Sequence, residues 1–129
     1  MAKILVIDDS RSTLQLVQDI LTHEGHEVTT ADCGKRGEAR LTTQRFDLVI
    51  TDVYMPERDG FEVLRGVRRR YPGLKVIAMS SATGKYDMLK VAKALGAAET
   101  LRKPFNTGEL LEAVSACLTG FLNGGSRRA

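Results

Sequence analysis

The chain has 129 residues, 43% hydrophobic and 27% charged, with a formal net charge of +3. That length makes about one domain with a core of its own, and no apolar stretch is long enough to span a bilayer. The small basic excess, the lack of Trp, the 3 Tyr and 4 Phe and the absence of a recognisable reading motif speak against a nucleic-acid partner. Cys33 and Cys117 lie far apart without metal-ligand spacing, which suits two reduced thiols in a cytosolic protein. The N-terminus enters a strand at once, so no signal peptide is expected.

In chain order, a strand–helix unit repeats five times. Strands are predicted at Lys3–Ile7, Glu27–Ala31, Asp47–Thr51, Lys75–Met79 and Glu99–Leu101. Most are short apolar runs, the mark of parallel strands buried on both faces; the second alternates, as an edge strand does. The first helix carries Leu14, Val17, Ile20 and Leu21 and closes at Gly25. A short polar helix follows at Gly37–Thr43, with Ala39 as its small face. Phe61, Leu64, Val67 and Tyr71 mark the third, ended by Pro72-Gly73. Met88, Val91, Ala92 and Leu95 mark the fourth, closed by Gly96. The last opens on Asn106-Thr107-Gly108-Glu109, a cap with a reaching acid, and buries Leu110, Val114, Cys117 and Phe121. Alternating elements of this kind imply right-handed crossovers and a parallel sheet covered on both sides. Residues 123–129 read as a flexible tail.

Polar residues stand where the strands end. Asp8 and Asp9 follow the first, Asp52 the third, Ser80 and Ser81 the fourth, and Lys103-Pro104 the fifth. Open parallel sheets bind ligands at the carboxyl ends of their strands, so these groups should converge. Three clustered carboxylates need a compensating cation, and hard oxygen ligands suit Mg2+, which aligns a phosphoryl group for in-line attack. Asp52 can serve as nucleophile and form an acyl phosphate. A serine hydroxyl can donate to a phosphoryl oxygen; because side chains alternate, only one of Ser80 and Ser81 should face the cleft. The Lys103 ammonium suits pairing with carboxylate and then phosphate. Met55-Pro56 and Asp59-Gly60 read as turn chemistry, and His23, His26 and Arg68-Arg69-Arg70 as solvated charge near helix ends. Lys85, Lys90 and Lys93 offer cations to an acidic partner.

Taken in order, Val6-Ile7-Asp8-Asp9, Asp52 with Met55-Pro56 and Asp59-Gly60, the two serines, and Lys103-Pro104-Phe105 resemble the receiver domain of two-component response regulators. The resemblance spans roughly residues 3–121 and implies a receiver at 1–122 with a flavodoxin-like doubly wound fold, strand order 2-1-3-4-5. It implies that Asp52 takes a phosphoryl group from a phosphohistidine of a sensor histidine kinase or histidine phosphotransfer protein. Asp9, Asp52 and the backbone carbonyl of Tyr54 would ligate Mg2+ (or Mn2+ in its place), with Asp8 acting mainly through water. Lys103 would pair with the phosphate beside a cis Lys103–Pro104 bond. Ser81, followed by the small Ala82, is the favoured switch hydroxyl, with Ser80 as the alternative. Tyr54 sits where a side chain is expected to tune phosphoryl lifetime. Thr100 replaces the aromatic residue that often reports phosphorylation in this family.

The resemblance implies a cytoplasmic signalling protein rather than an enzyme, a monomer or weak dimer that meets a downstream protein through the fourth helix, last strand and last helix. It implies neither membrane nor nucleic acid as partner. A receiver detached from a larger regulator is the alternative. A phosphoaspartate hydrolase is disfavoured, because Tyr54 stands where such enzymes carry a second acid.

Overall fold

A computed structural model of the chain describes residues 1–53, 60–81 and 87–123, side chains of 120–123 apart. The expectations for Tyr54, Met55-Pro56, Asp59, Ala82, Lys85, the Phe121 side chain and residues 124–129 fall outside the described residues. In chain order the elements are β1 (Lys3–Ile7), α1 (Arg11–His23), β2 (Glu27–Ala31), α2 (Gly34–Thr43), β3 (Leu48–Asp52), α3 (Gly60–Arg70), β4 (Lys75–Ser80), α4 (Met88–Ala94), β5 (Glu99–Arg102) and α5 (Thr107–Asn123). The strands form one parallel sheet ordered β2-β1-β3-β4-β5. The alternating β2 is an edge strand, as its pattern implied.

Strand alternation divides the core into two layers. Ile4, Val6, Leu48, Ile50, Ile77, Met79 and Leu101 face α1 and α5, meeting Val17, Leu21, Leu110 and Val114. Leu5, Ile7, Val49, Val76 and Ala78 face the other way, onto Leu41 of α2, Val63, Leu64 and Val67 of α3, and Leu89 and Ala92 of α4. Both faces of the central strands are therefore buried, which accounts for their unbroken apolar runs.

Two helices bury a different face from the one expected. In α2, Ala39 is exposed and the inner face is Gly37 and Leu41. Gly37 is tight against Ile7, whose side chain fills the space a Cβ would need. In α4, Val91 points outward and Leu89 and Ala92 are buried. The Asp87 carboxylate caps that helix by accepting the Leu89 and Lys90 N–H groups, and this start phases Leu89 inward. At α5 the expected cap forms in both directions: the Glu109 N–H donates to Asn106 Oδ1 at 2.7 Å, and the Asn106 N–H to Glu109 Oε1 at 3.0 Å. Gly25, after α1, has φ +91°, a value an L side chain rarely adopts.

His26 precedes β2, and its Nδ1 accepts the Ala2 N–H at 3.1 Å. Burial lowers its pKa from the ordinary value, with a contribution from the positive chain terminus. That hydrogen bond requires Nδ1 to be unprotonated, whereas the unfolded chain protonates freely near pH 6.5. Below that value the unfolded state binds more protons, so stability falls as pH drops from about 6.5 towards the lower folded pKa. Thermal melts at pH 7.5 and 5.5 should therefore show a larger loss in the native protein than in His26→Gln, whose amide oxygen can still accept. An equal loss in the two would remove His26 from the account.

Candidate functional site

Four chain segments deliver polar groups to the carboxyl edge of the sheet, and the strand register fixes which ones meet. Ile7 lies opposite Thr51, Asp52 opposite Met79 and Ser80 opposite Arg102. Backbone pairing extends past the strands through Asp8 N–H to Ala31 O, Val53 N–H to Met79 O and Lys103 N–H to Ser80 O, at 3.0–3.1 Å. Residues two apart share a face. Asp8 therefore continues the face of Ile4 and Val6, Asp52 that of Leu48 and Ile50, and Lys103 that of Leu101, all on the α1/α5 side. Ser81 follows Ile77 and Met79 on that side and is exposed; Ser80 follows Val76 and Ala78 on the other and is fully buried.

The Lys103 Nζ lies 2.6 Å from Asp8 Oδ2 and 2.6 Å from Asp52 Oδ2. Asp8 is fully buried and Asp52 is 5% exposed, while Asp9 is open to solvent. One carboxylate oxygen from each of the three lies within 4.8 Å of the others. The second oxygen of Asp8 accepts the Ser10 N–H at 2.9 Å. Neither aspartate caps α1; that role belongs to Ser10, whose hydroxyl accepts the Thr13 N–H at 3.3 Å. Both acids are thus left for the cleft, and Ser10 does double service. The Lys103–Pro104 peptide bond is cis.

Burial raises the pKa of Asp8 above the ordinary carboxyl value, and the Asp52 charge adds to this against the hydrogen bonds from Lys103 and Ser10. Burial alone would pull Lys103 down. Its hydrogen bonds to Asp52 and Asp8, and their charges, outweigh that and hold its pKa above the usual value. The ammonium therefore stays protonated. Among the described residues one cation stands against three carboxylates, an arrangement of negative potential whose oxygen donors suit a hard divalent ion.

The sequence offered no sign of one contact beside the site. Arg102, next to Lys103, donates from Nη2 to Asp87 Oδ1 at 3.3 Å. It links the end of β5 to the cap of α4 across 15 residues, a separation no local pattern encodes. Thr100 lies on β5, partly buried.

Residues 4–115 match the response regulator receiver domain family. The chain belongs to that family. Among curated relatives, it is 38% identical over 123 residues to the response regulator protein FleR of Pseudomonas aeruginosa, covering 95% of this chain and 26% of FleR. Among solved structures, the chemotaxis protein CheY4 of Vibrio cholerae superposes with a TM-score of 0.83 at 38% identity, covering 92% of this chain and 99% of CheY4. TrrA of Thermotoga maritima, crystallised with Mg2+–BeF, superposes with a TM-score of 0.81 at 31% identity, covering 92% of this chain and all of TrrA. This receiver spans a quarter to a half of the length of the curated relatives it matches. No helix among its described residues is long and apolar enough to cross a membrane.

If the three aspartates hold a divalent ion in the folded state only, Mg2+ should stabilise the receiver by mass action, about 2.7 kcal/mol at a hundredfold excess over Kd. Thermal melts across a Mg2+ titration should rise for the native chain and stay nearly flat for Asp9→Ala. Equal shifts in both would place the ion elsewhere.

Proposed function

We propose that this receiver accepts a phosphoryl group on Asp52 from a phosphohistidine, in a Mg2+-dependent reaction, and signals by a change in what it binds. The observation that carries this reading is the single Lys103 ammonium, 2.6 Å from both Asp8 and Asp52, with Asp9 beside them. The crystallised Mg2+–BeF complex of TrrA supports the same chemistry here. Mg2+, when bound by Asp9 and Asp52 and steadied by Asp8, would offset charge on the transferring group.

An Asp52 carboxylate oxygen attacks phosphorus in line. The P–N bond to the donor imidazole breaks, its electron pair returns to the ring, and that nitrogen takes up a proton. Asp52 is 5% exposed and lies 2.6 Å from the Lys103 ammonium, which limits the access of water to its carboxylate. As the group arrives, Lys103 is placed to pair with a phosphoryl oxygen in exchange for one of its carboxylate contacts. Ser81, on the same face of the sheet as Asp52 and Lys103, is the switch hydroxyl in this reading. Ser80 is fully buried, and strand alternation turns it to the opposite side of the sheet from Ser81, which supports the choice of Ser81.

The donor in this proposal is a sensor histidine kinase or a histidine phosphotransfer protein in the cytoplasm. The output surface is the α4–β5–α5 face, reached from the site through Lys103 and Arg102 to the Asp87 cap. Thr100 stands in place of an aromatic, so in this reading the switch is muted or carried by another side chain, and the Arg102–Asp87 contact ties the end of β5 to the cap of α4.

Asp52→Asn should abolish labelling by acetyl phosphate or a phosphorylated kinase with Mg2+ present, while circular dichroism stays native. Undiminished uptake by that variant would show that another residue is the acceptor. The serines separate in a second experiment, by amide NMR after acetyl phosphate. Ser81→Ala should still be labelled yet lose the shift changes in β5 and α4, and Ser80→Ala should keep them. The reverse pattern would reassign the hydroxyl.

A further inference from the structure

The small net charge of the chain hides a strong division between its two helical layers. On one side of the sheet, α2 exposes Lys35, Arg36 and Arg40, α3 exposes Arg65, Arg68, Arg69 and Arg70, and α4 exposes Lys90 and Lys93. Against these nine cations the three helices carry two acids, Glu38 and Glu62. On the other side, α1 and α5 carry one arginine, Arg11, against Asp19, Glu109 and Glu112. Of the nine cations, Arg36 pairs with Asp32 at 2.8 Å and Lys93 donates to the Ala98 carbonyl at 2.7 Å. The excess of cations over acids on these helices gives the layer a predominantly positive field.

We propose that the α2–α3–α4 layer is a docking surface for the phosphate backbone of double-stranded nucleic acid, read without regard to sequence. Six of its nine cations are arginines, whose planar fork matches phosphate oxygens in pairs. Neighbouring helices pack about 8–10 Å apart, so the three present a cationic strip about 20 Å wide, enough to reach the strands on both sides of a major groove. Among the described residues, the aromatics of this layer, Phe46, Phe61 and Tyr71, are partly buried against the core and offer no exposed ring on which unpaired bases could stack. A lipid surface fits less well, since Val91 is the one large apolar side chain exposed on this layer among the described residues. The strip is separate from the Asp52 cleft, which opens beyond the strand ends, so backbone docking and phosphotransfer are separable.

Fluorescence anisotropy with a labelled mixed-sequence DNA duplex of about two helical turns tests this on the full chain. Binding is expected at about 50 mM NaCl and should weaken steeply towards 200 mM, with a log–log slope of about −0.9 for each phosphate neutralised. The triple variant Arg68→Gln, Arg69→Gln, Arg70→Gln should bind at least about tenfold more weakly at the lower salt, with a shallower slope. Lys90→Gln with Lys93→Gln should show a smaller loss, and Glu109→Gln with Glu112→Gln, on the opposite layer, none. Acetyl phosphate labelling of Asp52 should be unchanged in the arginine variant, which also reports that it is folded. Three results would overturn the proposal: no binding at about 50 mM salt, duplex binding undiminished in the arginine variant, or equal or tighter binding to polyglutamate or phosphatidylserine vesicles.

Discussion

Two aspartates from different strands share one ammonium, and much of the architecture serves that contact. Asp8 is fully buried, and a buried carboxylate is costly unless it is paired and its remaining oxygen is satisfied. Lys103 supplies the charge and the Ser10 N–H the second hydrogen bond. Lys103 reaches the site only because β5 pairs with β4 in a register that sets its backbone N–H against Ser80 O. A shift of one residue in that register would turn its side chain to the opposite layer. The apolar layers fix the register, and the register fixes the charges.

The same constraint sets the two serines apart: Ser80 is fully buried and Ser81 is exposed. Strand alternation leaves a single bit of information at each position, inward to one layer or to the other, and adjacent residues always carry opposite values. Ser80 spends its position in the layer of Val76 and Ala78. Ser81 lies one step beyond the strand on the face shared by Asp52 and Lys103. A hydroxyl in a parallel α/β sheet can therefore be placed in or out of a site by counting from its strand, once the core layers are known.

Much of the fold was legible because buried parallel strands leave an unmistakable apolar run, and β1 and β2 match their expected limits while β3, β4 and β5 differ by one residue. The gathering of Asp8, Asp9, Asp52 and Lys103 followed from their positions at strand ends. Less legible were features set by tertiary phase. Ala39 and Val91 looked like core residues by type, yet the close approach of Gly37 to Ile7 and the capping of α4 at Asp87 rotate both outward. The Arg102–Asp87 contact was invisible for another reason: it joins two exposed charges whose neighbours in sequence give no sign of each other.

Charge shows the same gap between list and layer. Summed over the chain, cations and acids nearly cancel, which is why composition alone spoke against a polyanionic partner. Folding sorts them by the sheet face each helix covers. Because α2, α3 and α4 pack on one face and α1 and α5 on the other, the basic middle helices share one layer and the more acidic first and last helices share the opposite one. Potential near a surface depends on charges within about a Debye length, roughly 8–10 Å at physiological salt, not on the molecular total. A partner approaching the arginine-bearing face therefore meets a strongly basic protein, while one approaching α1 and α5 meets a mildly acidic one.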